Sequence, residues 1–298
     1  MRGVMAALAA AACAGWLAAA GGSAIDGRRT TMAMGTAGTA GAGEAARPVR
    51  VALVTDTHIA DGDSEEQSRF RGHLLRVITE VNAAGVDAVL VAGDLTQGGA
   101  PAEIARFRRM ARGFRAPVIW VAGNHDAGNK RAGDDPGPTA ERIAAYEAAA
   151  GPSFAARTVR GMRVVAANAS LMGSELPREA EQWAFLEREL GKRARRPVLL
   201  LLHNPPFVKR ADEPGDYWNL EPAPRARLLA LAHTGGVRAI LSGHLHYPVV
   251  AEREGVAFIT AMPVSFGLPA GKQPEGWMAL EVSPDGAVRV EPRLLTGP

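Results

Sequence analysis

Cysteine is almost absent from this chain of 298 residues, since Cys13 is its only one. A single cysteine excludes an intramolecular disulfide and any metal site built from several thiolates. The chain also lacks a marked excess of positive or negative side chains. Once the three basic and two acidic side chains of residues 1–46 are set aside, 31 basic and 29 acidic ones remain. Charge therefore gives no indication of a nucleic-acid partner.

The first 46 residues differ in composition from the rest of the chain. A basic Arg2 precedes an alanine-rich apolar run, and small residues from Gly21 to Ala24 follow it. This order is typical of a secretory signal peptide. We therefore predict a signal peptide over residues 1–24, a flexible linker over residues 25–46, and an exported protein, either periplasmic or secreted.

Three other interpretations of this segment stay open. Translation starting at Met32 or Met34 would give a cytoplasmic protein. Cys13 is a weak candidate for a lipid anchor, because the usual leucine does not precede it. The apolar run is short for a permanent transmembrane helix, which needs about 20 residues. We expect no stable membrane span after processing.

Five apolar segments each end in polar residues of the metal-ligand type. The central one starts at Val118 and ends in Gly123-Asn124-His125-Asp126. A buried parallel strand delivers such side chains to the carboxyl edge of a sheet, where α/β proteins place their sites. We expect Gly123 to allow a sharp turn that faces Asn124 and His125 toward a ligand. The other four segments end in Asp56-Thr57-His58, in Asp94, in His203 and in His244-Leu245-His246.

Strand and helix patterns alternate along most of the chain, which favours parallel strands with right-handed crossovers. The short strands of the tail, joined by Gly/Pro turns, indicate an antiparallel arrangement. We predict one α/β domain with mixed sheets over residues 47–298. Its main strands are predicted at Val49–Thr55, Ala88–Ala92, Val118–Ala122, Met162–Ala167, Val198–Leu202 and Ala239–Ser242.

Together the strand ends supply seven candidate metal ligands. Carboxylates, one amide oxygen and neutral imidazoles suit borderline ions such as Mn, Fe or Zn. Seven ligands exceed the needs of one tetrahedral ion but suit two octahedral ions that share a carboxylate. Two such ions can clamp an in-line phosphoryl displacement by a metal-bound hydroxide, with His125 protonating the leaving oxygen. The seven are Asp56, His58, Asp94, Asn124, His203, His244 and His246.

Each residue also has a purely structural interpretation. Asp94 and Asn124 are common turn residues, and His203 could be a hydrogen-bonded core histidine. The imidazoles of His244 and His246 point the same way only if that segment is extended. The structural interpretation does not explain why residues of the metal-ligand type occur together at the ends of all five strands. The two remaining histidines, His73 and His233, are assigned to solvated helix faces.

These five motifs resemble those of the calcineurin-like metallophosphoesterase superfamily, and the resemblance spans residue 49 to about residue 250. The resemblance implies a four-layer α-β-β-α sandwich with a binuclear metal centre that hydrolyses phosphoric esters. It also implies a ligand scheme. In that scheme Asp56, His58 and His246 bind the first metal, Asn124, His203 and His244 bind the second, Asp94 bridges them, and His125 is the catalytic histidine.

One position departs from the family pattern. In many members a carboxylate three residues after the bridging aspartate orients the catalytic histidine, and here that position holds Gln97. Asp126 is a candidate to replace it.

Two branches of the superfamily compete for this chain. The Gly93-Asp94-Leu95-Thr96 segment resembles the cyclic-nucleotide phosphodiesterase branch. The Asp212–Asn219 loop resembles the branch named for its calcineurin-like phosphoesterase domain, whose members are associated with protein phosphatase activity. Tyr217 and Trp218 in that loop are candidates to bind substrate, with Asn124, or they merely anchor the loop.

Two other functions remain as alternatives. A catalytically weak metal-binding module on the same fold is suggested only by Gln97. A nuclease is disfavoured by the balanced charge and by the lack of a stripe of basic and aromatic residues. We therefore predict a phosphoric ester hydrolase.

Overall fold

Two mixed β-sheets form the centre of the molecule. The computed structural model describes residues 47–131, 133, 135 and 137–295, so the predicted signal peptide and linker lie outside the described residues. The first sheet has the order β11-β10-β1-β2-β3, and the second has the order β4-β5-β6-β7-β9-β8. The first contains β1 (Val49–Val54), β2 (Ala88–Val91), β3 (Val118–Trp120), β10 (Gly276–Val282) and β11 (Val288–Leu294); the second contains β4 (Ala155–Val159), β5 (Met162–Ala166), β6 (Val198–Leu201), β7 (Val237–Ser242), β8 (Val249–Arg253) and β9 (Val256–Thr260).

Helices cover the outer face of each sheet. They are α1 (Glu65–Ala84), α2 (Pro101–Ala111), α3 (Asn124–Ala127), α4 (Ala140–Ala150), α5 (Pro177–Leu190) and α6 (Pro222–Gly235), with a short 3-10 turn at Ala169–Leu171. Within the described ranges, no helix is long and apolar enough to cross a membrane. The longest, α1, starts at a Ser64 cap whose hydroxyl accepts from the Gln67 amide, and it ends at the left-handed Gly85.

The alternation of side chains along β1 shows how the layers form. Val51 and Leu53 face the second sheet and pack in one apolar cluster with Leu199 and Leu201. Ala52 and Val54 point the other way and pack against α1 and α2. The outer face of the second sheet packs in the same manner against α5 and α6. Successive strand residues point to opposite faces, so each strand contributes to two cores. The predicted four-layer α-β-β-α sandwich is confirmed.

The tail of the chain is more mixed than its sequence indicates. The β8–β9 and β10–β11 pairs are antiparallel, as predicted. However, β9 also pairs with β7 in parallel, with Ala239 opposite Ala257. Strand β10 pairs with β1 antiparallel. The strand β4 was not predicted, because this edge strand is only partly buried and its sequence lacks a clear apolar alternation.

Candidate metal centre

All seven predicted ligands meet at the carboxyl edge shared by the two sheets. Asp56 and His58 follow β1, Asp94 follows β2, and Asn124 opens α3 after β3. His203 follows β6 in the second sheet, and His244 and His246 follow β7. A first set, made of Asp56, His58, Asp94 and His246, brings one ligand atom of each residue within 4.8 Å of the others. A second set contains Asp94, His203 and His244.

Asp94 belongs to both sets. Its Oδ2 lies 3.5 Å from His58 Nε2 and 3.4 Å from His203 Nε2. Asn124 joins the second set, since its Oδ1 lies 3.0 Å from His203 Nε2. The carboxylate of Asp94 is thus placed where a bridging ligand between two ions would lie.

Hydrogen bonds to the main chain fix the orientations of three imidazoles. His203 Nδ1 donates to the Ala92 carbonyl at 2.7 Å, and His246 Nδ1 donates to the Phe266 carbonyl at 2.6 Å. His244 donates through Nε2 instead, to the Tyr217 carbonyl at 2.9 Å. Each ring therefore turns its other nitrogen toward the centre, as metal-binding histidines do.

Asp56 provides a second sign that the site is built for a cation. Its Oδ2 accepts hydrogen bonds from the Thr55 hydroxyl at 2.7 Å and from the His244 amide at 3.1 Å. Its Oδ1 is fully buried and has no hydrogen-bond partner, although it lies 3.3 Å from His246 Nε2. A buried carboxylate oxygen without a donor is costly unless a cation neutralises it. The donor set thus fits metal ions.

Burial and neighbouring charges divide the imidazoles into two kinds. Burial lowers the pKa of His58 to about 3, and burial together with the nearby His203 lowers the pKa of His244 to about 3. Burial opposes the charged form of His203 as well, but the facing Asp94 carboxylate raises its pKa to about 9. His58 and His244 are therefore neutral and ready to bind, whereas His203 holds a proton until a cation displaces it.

Five of the seven ligands have left-handed backbones. The φ angles are 51° at Asp56, 46° at His58, 46° at Asp94, 71° at His244 and 57° at His246. Residues other than glycine avoid this region, and strained backbone of this kind concentrates at functional sites. The His244-Leu245-His246 segment is therefore not extended, and the condition under which its two imidazoles would point the same way is not met. Left-handed turns bring these two imidazoles to the centre, and each joins a different set.

Two glycines are present because neighbouring atoms approach closely. A side chain at Gly123 would overlap the carboxylate and amide of Asp94, and one at Gly243 would overlap the Thr55 hydroxyl. Gly123 itself has an extended backbone, with φ −100° and ψ −178°, that any residue can adopt. The predicted reason for this glycine was a sharp turn, which is wrong. It leaves room for Asp94.

His125 lies beside the first set, with its ring 4.6 Å from that of His58 in an edge-on arrangement. Its Nδ1 donates to the main-chain carbonyl of Gln97 at 2.8 Å, and its amide donates to Asp94 Oδ1 at 2.9 Å. Asp126 does not orient it. The Asp126 carboxylate accepts from Leu95, Thr96 and Gly123, and so holds the loop after β2 instead. The candidate substitute for the missing carboxylate is therefore a main-chain oxygen.

The Tyr217–Trp218 pair lies beside the second set. The Tyr217 ring is 4.8 Å from that of His244, and its hydroxyl lies 3.4 Å from Asn124 Nδ2. The Trp218 ring is 5.6 Å from that of His244. Tyr217 is also exposed, so its ring is available to a ligand.

Other residues anchor this loop. The Glu213 carboxylate accepts from the amides of Val208, Lys209 and Arg210 and from the side chain of Asn219. The buried Arg225 guanidinium donates to the carbonyls of Ala211, Glu213, Pro214 and Leu220. These polar bonds hold the loop together with the ring contacts of the aromatic pair.

Sequence reasoning missed Phe266. Its carbonyl holds His246, and its half-buried ring lies 4.3 Å from the His246 ring and 5.4 Å from the His58 ring. His73 supports the same segment. It was assigned to a solvated face, which is wrong, because it is partly buried, its Nδ1 donates to the Val264 carbonyl at 2.9 Å and it lies 3.5 Å from Glu275. His233 is exposed, as predicted.

Comparison with known proteins indicates the same family that the five sequence motifs resemble. A family model described as calcineurin-like phosphoesterase matches residues 49–248, which include every predicted ligand. A probable cyclic nucleotide phosphodiesterase of Synechococcus is 28% identical over 82% of this chain and 91% of its own length. The serine/threonine-protein phosphatase CPPED1 of Bos taurus is 29% identical over 62% of this chain and 61% of its own length.

The fold also occurs among solved structures. A dimetal phosphatase from Danio rerio superimposes with a TM-score of 0.53 at 13% identity, over 83% of this chain and 96% of that one. At this identity the likeness concerns the fold alone.

Proposed function

Since this chain belongs to the calcineurin-like phosphoesterase family and is a metal-dependent phosphoester hydrolase, we propose that it hydrolyses phosphodiesters and that His125 protonates the leaving oxygen. The observation that carries the proposal is the sharing of Asp94 between the two ligand sets. Two divalent ions held there would neutralise the phosphoryl oxygens and supply an activated water. The seven side chains around them are the proposed ligands.

The role of His125 follows from its hydrogen bonds. Because its Nδ1 donates to the Gln97 carbonyl, its Nε2 is the nitrogen left to exchange a proton with a substrate. The hydrogen bond from the His125 main-chain amide to Asp94 Oδ1 fixes the start of α3 to the bridging carboxylate. The His125 ring lies beside that of His58, next to the first set. A histidine so placed can donate a proton to the alkoxide that leaves phosphorus on this side of the centre.

Aromatic rings on both sides of the centre support a substrate with a planar group. Phe266 lies against the first set, and Tyr217 and Trp218 lie against the second. A phosphodiester has groups on both sides of its phosphorus, so it suits a site with two such surfaces. The relative that aligns over 91% of its length is described as a probable cyclic nucleotide phosphodiesterase. A cyclic nucleotide is therefore the first substrate to test.

Phosphomonoesters, including phosphoproteins, are the second candidate. The Asp212–Asn219 loop favours them, and the relative named CPPED1 is a protein phosphatase. Residues of this loop contact the second set through Tyr217, so the loop bears on substrate choice in either case.

The ions themselves are proposed to be Mn, Fe or Zn, on the ground that a mixture of carboxylate, amide and imidazole ligands suits borderline metals. Export to the periplasm or the outside of the cell is likewise a proposal, supported by the order of residues in the segment 1–24.

The test compares turnover of bis(p-nitrophenyl) phosphate, p-nitrophenyl phosphate, cyclic AMP and 5′-AMP. Metal-stripped protein is re-supplied with Mn, Fe or Zn, and His125→Ala is assayed beside His233→Ala, a control on an exposed helix face. We expect turnover of the diesters to fall by about 10²–10⁴-fold in His125→Ala alone. Two bound ions without turnover of any ester would instead indicate the metal-binding module.

A further inference from the structure

Gln97 contacts two imidazoles through two different atoms. Its side-chain Oε1 accepts a hydrogen bond from His58 Nδ1 at 3.0 Å. Its main-chain carbonyl accepts from His125 Nδ1 at 2.8 Å. A single residue after β2 therefore orients a ligand of the first set and the proposed proton donor, and only the first of these contacts depends on the identity of the side chain.

The contact with His58 bears directly on the first set. The His58 side chain is buried, and its Nε2 lies 3.2 Å from His246 Nε2 and 3.5 Å from Asp94 Oδ2. With Nδ1 donating to Gln97, the lone pair of Nε2 points to the same place as that of His246. Partners that hold a ligand histidine in this way set its ring orientation and its basicity, and thus the affinity for the metal.

We propose that Gln97 is a positioning residue whose side chain sets the affinity of the first ligand set for its ion, while its main chain holds His125. The inference rests on the two-ion centre proposed above. It assigns the two tasks of this position to separate atoms, so that they can be tested separately.

The neutral amide also has a consequence for substrate binding. Gln97 is exposed, and its contacts with His58 and His125 place it beside the ligands and the proposed proton donor that an anionic phosphate ester would meet. A carboxylate here would make His58 a stronger donor to the metal, but it would add a negative charge in the path of the substrate. The neutral amide gives weaker metal binding than a carboxylate would, but it does not repel the anionic substrate. Gln97→Glu should therefore tighten metal binding and raise the KM for a diester.

The experiment titrates metal-stripped wild type, Gln97→Ala and Gln97→Glu with Mn²⁺, using calorimetry for the two dissociation constants and EPR to separate coupled pairs from single ions. We expect Gln97→Ala to raise the dissociation constant of one of the two ions by about 10-fold or more, and to leave that of the other unchanged. We expect Gln97→Glu to bind that ion at least as tightly as the wild type, with a higher KM for bis(p-nitrophenyl) phosphate.

Two results would overturn the inference: wild-type affinity for both ions in Gln97→Ala, or the same loss in Gln97→Ala and Gln97→Glu. Circular dichroism of the metal-free variants checks that this exposed position has not disturbed the fold. The metal affinities are measured without substrate, so a wild type that binds two ions but turns over no ester would refute the proposed function and leave the binding part of this test intact.

Discussion

His58 and His246 face each other through their Nε2 atoms at 3.2 Å, although both rings donate hydrogen bonds through the opposite nitrogen. Two facing lone pairs at this distance would repel, so the two nitrogens must share either a proton, which the Asp56 carboxylate favours by raising the pKa of His246, or a metal ion. The unpartnered Asp56 Oδ1, 3.3 Å from the same nitrogen of His246, adds negative charge to the same place.

Removal of metal should therefore lower the stability of the fold. Ions that bind only the folded state stabilise it by about 4 kcal/mol at a free concentration of 1,000 Kd. We expect a chelator to lower the Tm, and Mn²⁺ or Zn²⁺ to restore it in proportion to the logarithm of its concentration. An unchanged Tm across stripped and loaded protein, measured by calorimetry, would contradict a metal centre at these ligands.

Metal binding should release protons and strengthen as the pH rises. The Asp94 carboxylate raises the pKa of His203 to about 9, above its ordinary value, although burial opposes this. His203 is therefore protonated in the metal-free protein near pH 7.5, and an ion must displace that proton. The free energy that this proton contributes to the metal-free fold is fully present below the unfolded pKa of about 6.5 and is lost as the pH rises to about 9.

Calorimetric titration in buffers of different ionisation enthalpy measures the proton count. We expect about one proton per chain to be released from His203 between pH 7 and 8, and apparent affinity that levels off above about pH 9. Affinity that is independent of pH over this range would show that His203 is neutral before the ion arrives.

Replacing Gly123 with alanine should disable the centre. The added methyl group would overlap the Asp94 carboxylate and amide, so the bridging ligand must move. We expect the variant to lose metal and activity together, by at least about 100-fold in turnover, since small displacements of catalytic groups have effects of that size. Gly72→Ala is the matched control. It lies within α1 with open space around it, and it should gain about 0.5–1 kcal/mol in stability with full activity.

The left-handed backbone at His246 predicts an unusual order of stability. Both His246→Gly and His246→Ala lose the ligand, but alanine at φ 57° retains a strain of about 1 kcal/mol that glycine does not have. In metal-free protein we expect the glycine variant to be the more stable of the two. His203 is not among the left-handed residues of the described ranges, so there the order should reverse by about 0.5–1 kcal/mol. Denaturant unfolding compares the four variants.

The ligands could be predicted from sequence because parallel strands carry their polar ends to one edge, as Asp94 and His203 illustrate. The residues that orient them could not. Phe266 holds His246 through its main-chain carbonyl, and a carbonyl has no sequence signature. Gln97 was noticed only as a missing carboxylate, and its contact with His58 depends on how the loop after β2 packs. The left-handed turns at Asp56 and His58 also escaped prediction, since neither residue type requires them.

Neither sheet contains a complete ligand set. Asp56, His58, Asp94 and Asn124 follow strands of the first sheet, whereas His203, His244 and His246 follow strands of the second. Each ion would thus cross-link segments separated by more than a hundred residues of chain, such as His58 and His246. A nascent chain that has made only β1, β2 and β3 offers no complete site, and metal loading must wait until β7 and the two histidines after it have been synthesised and the two sheets have docked.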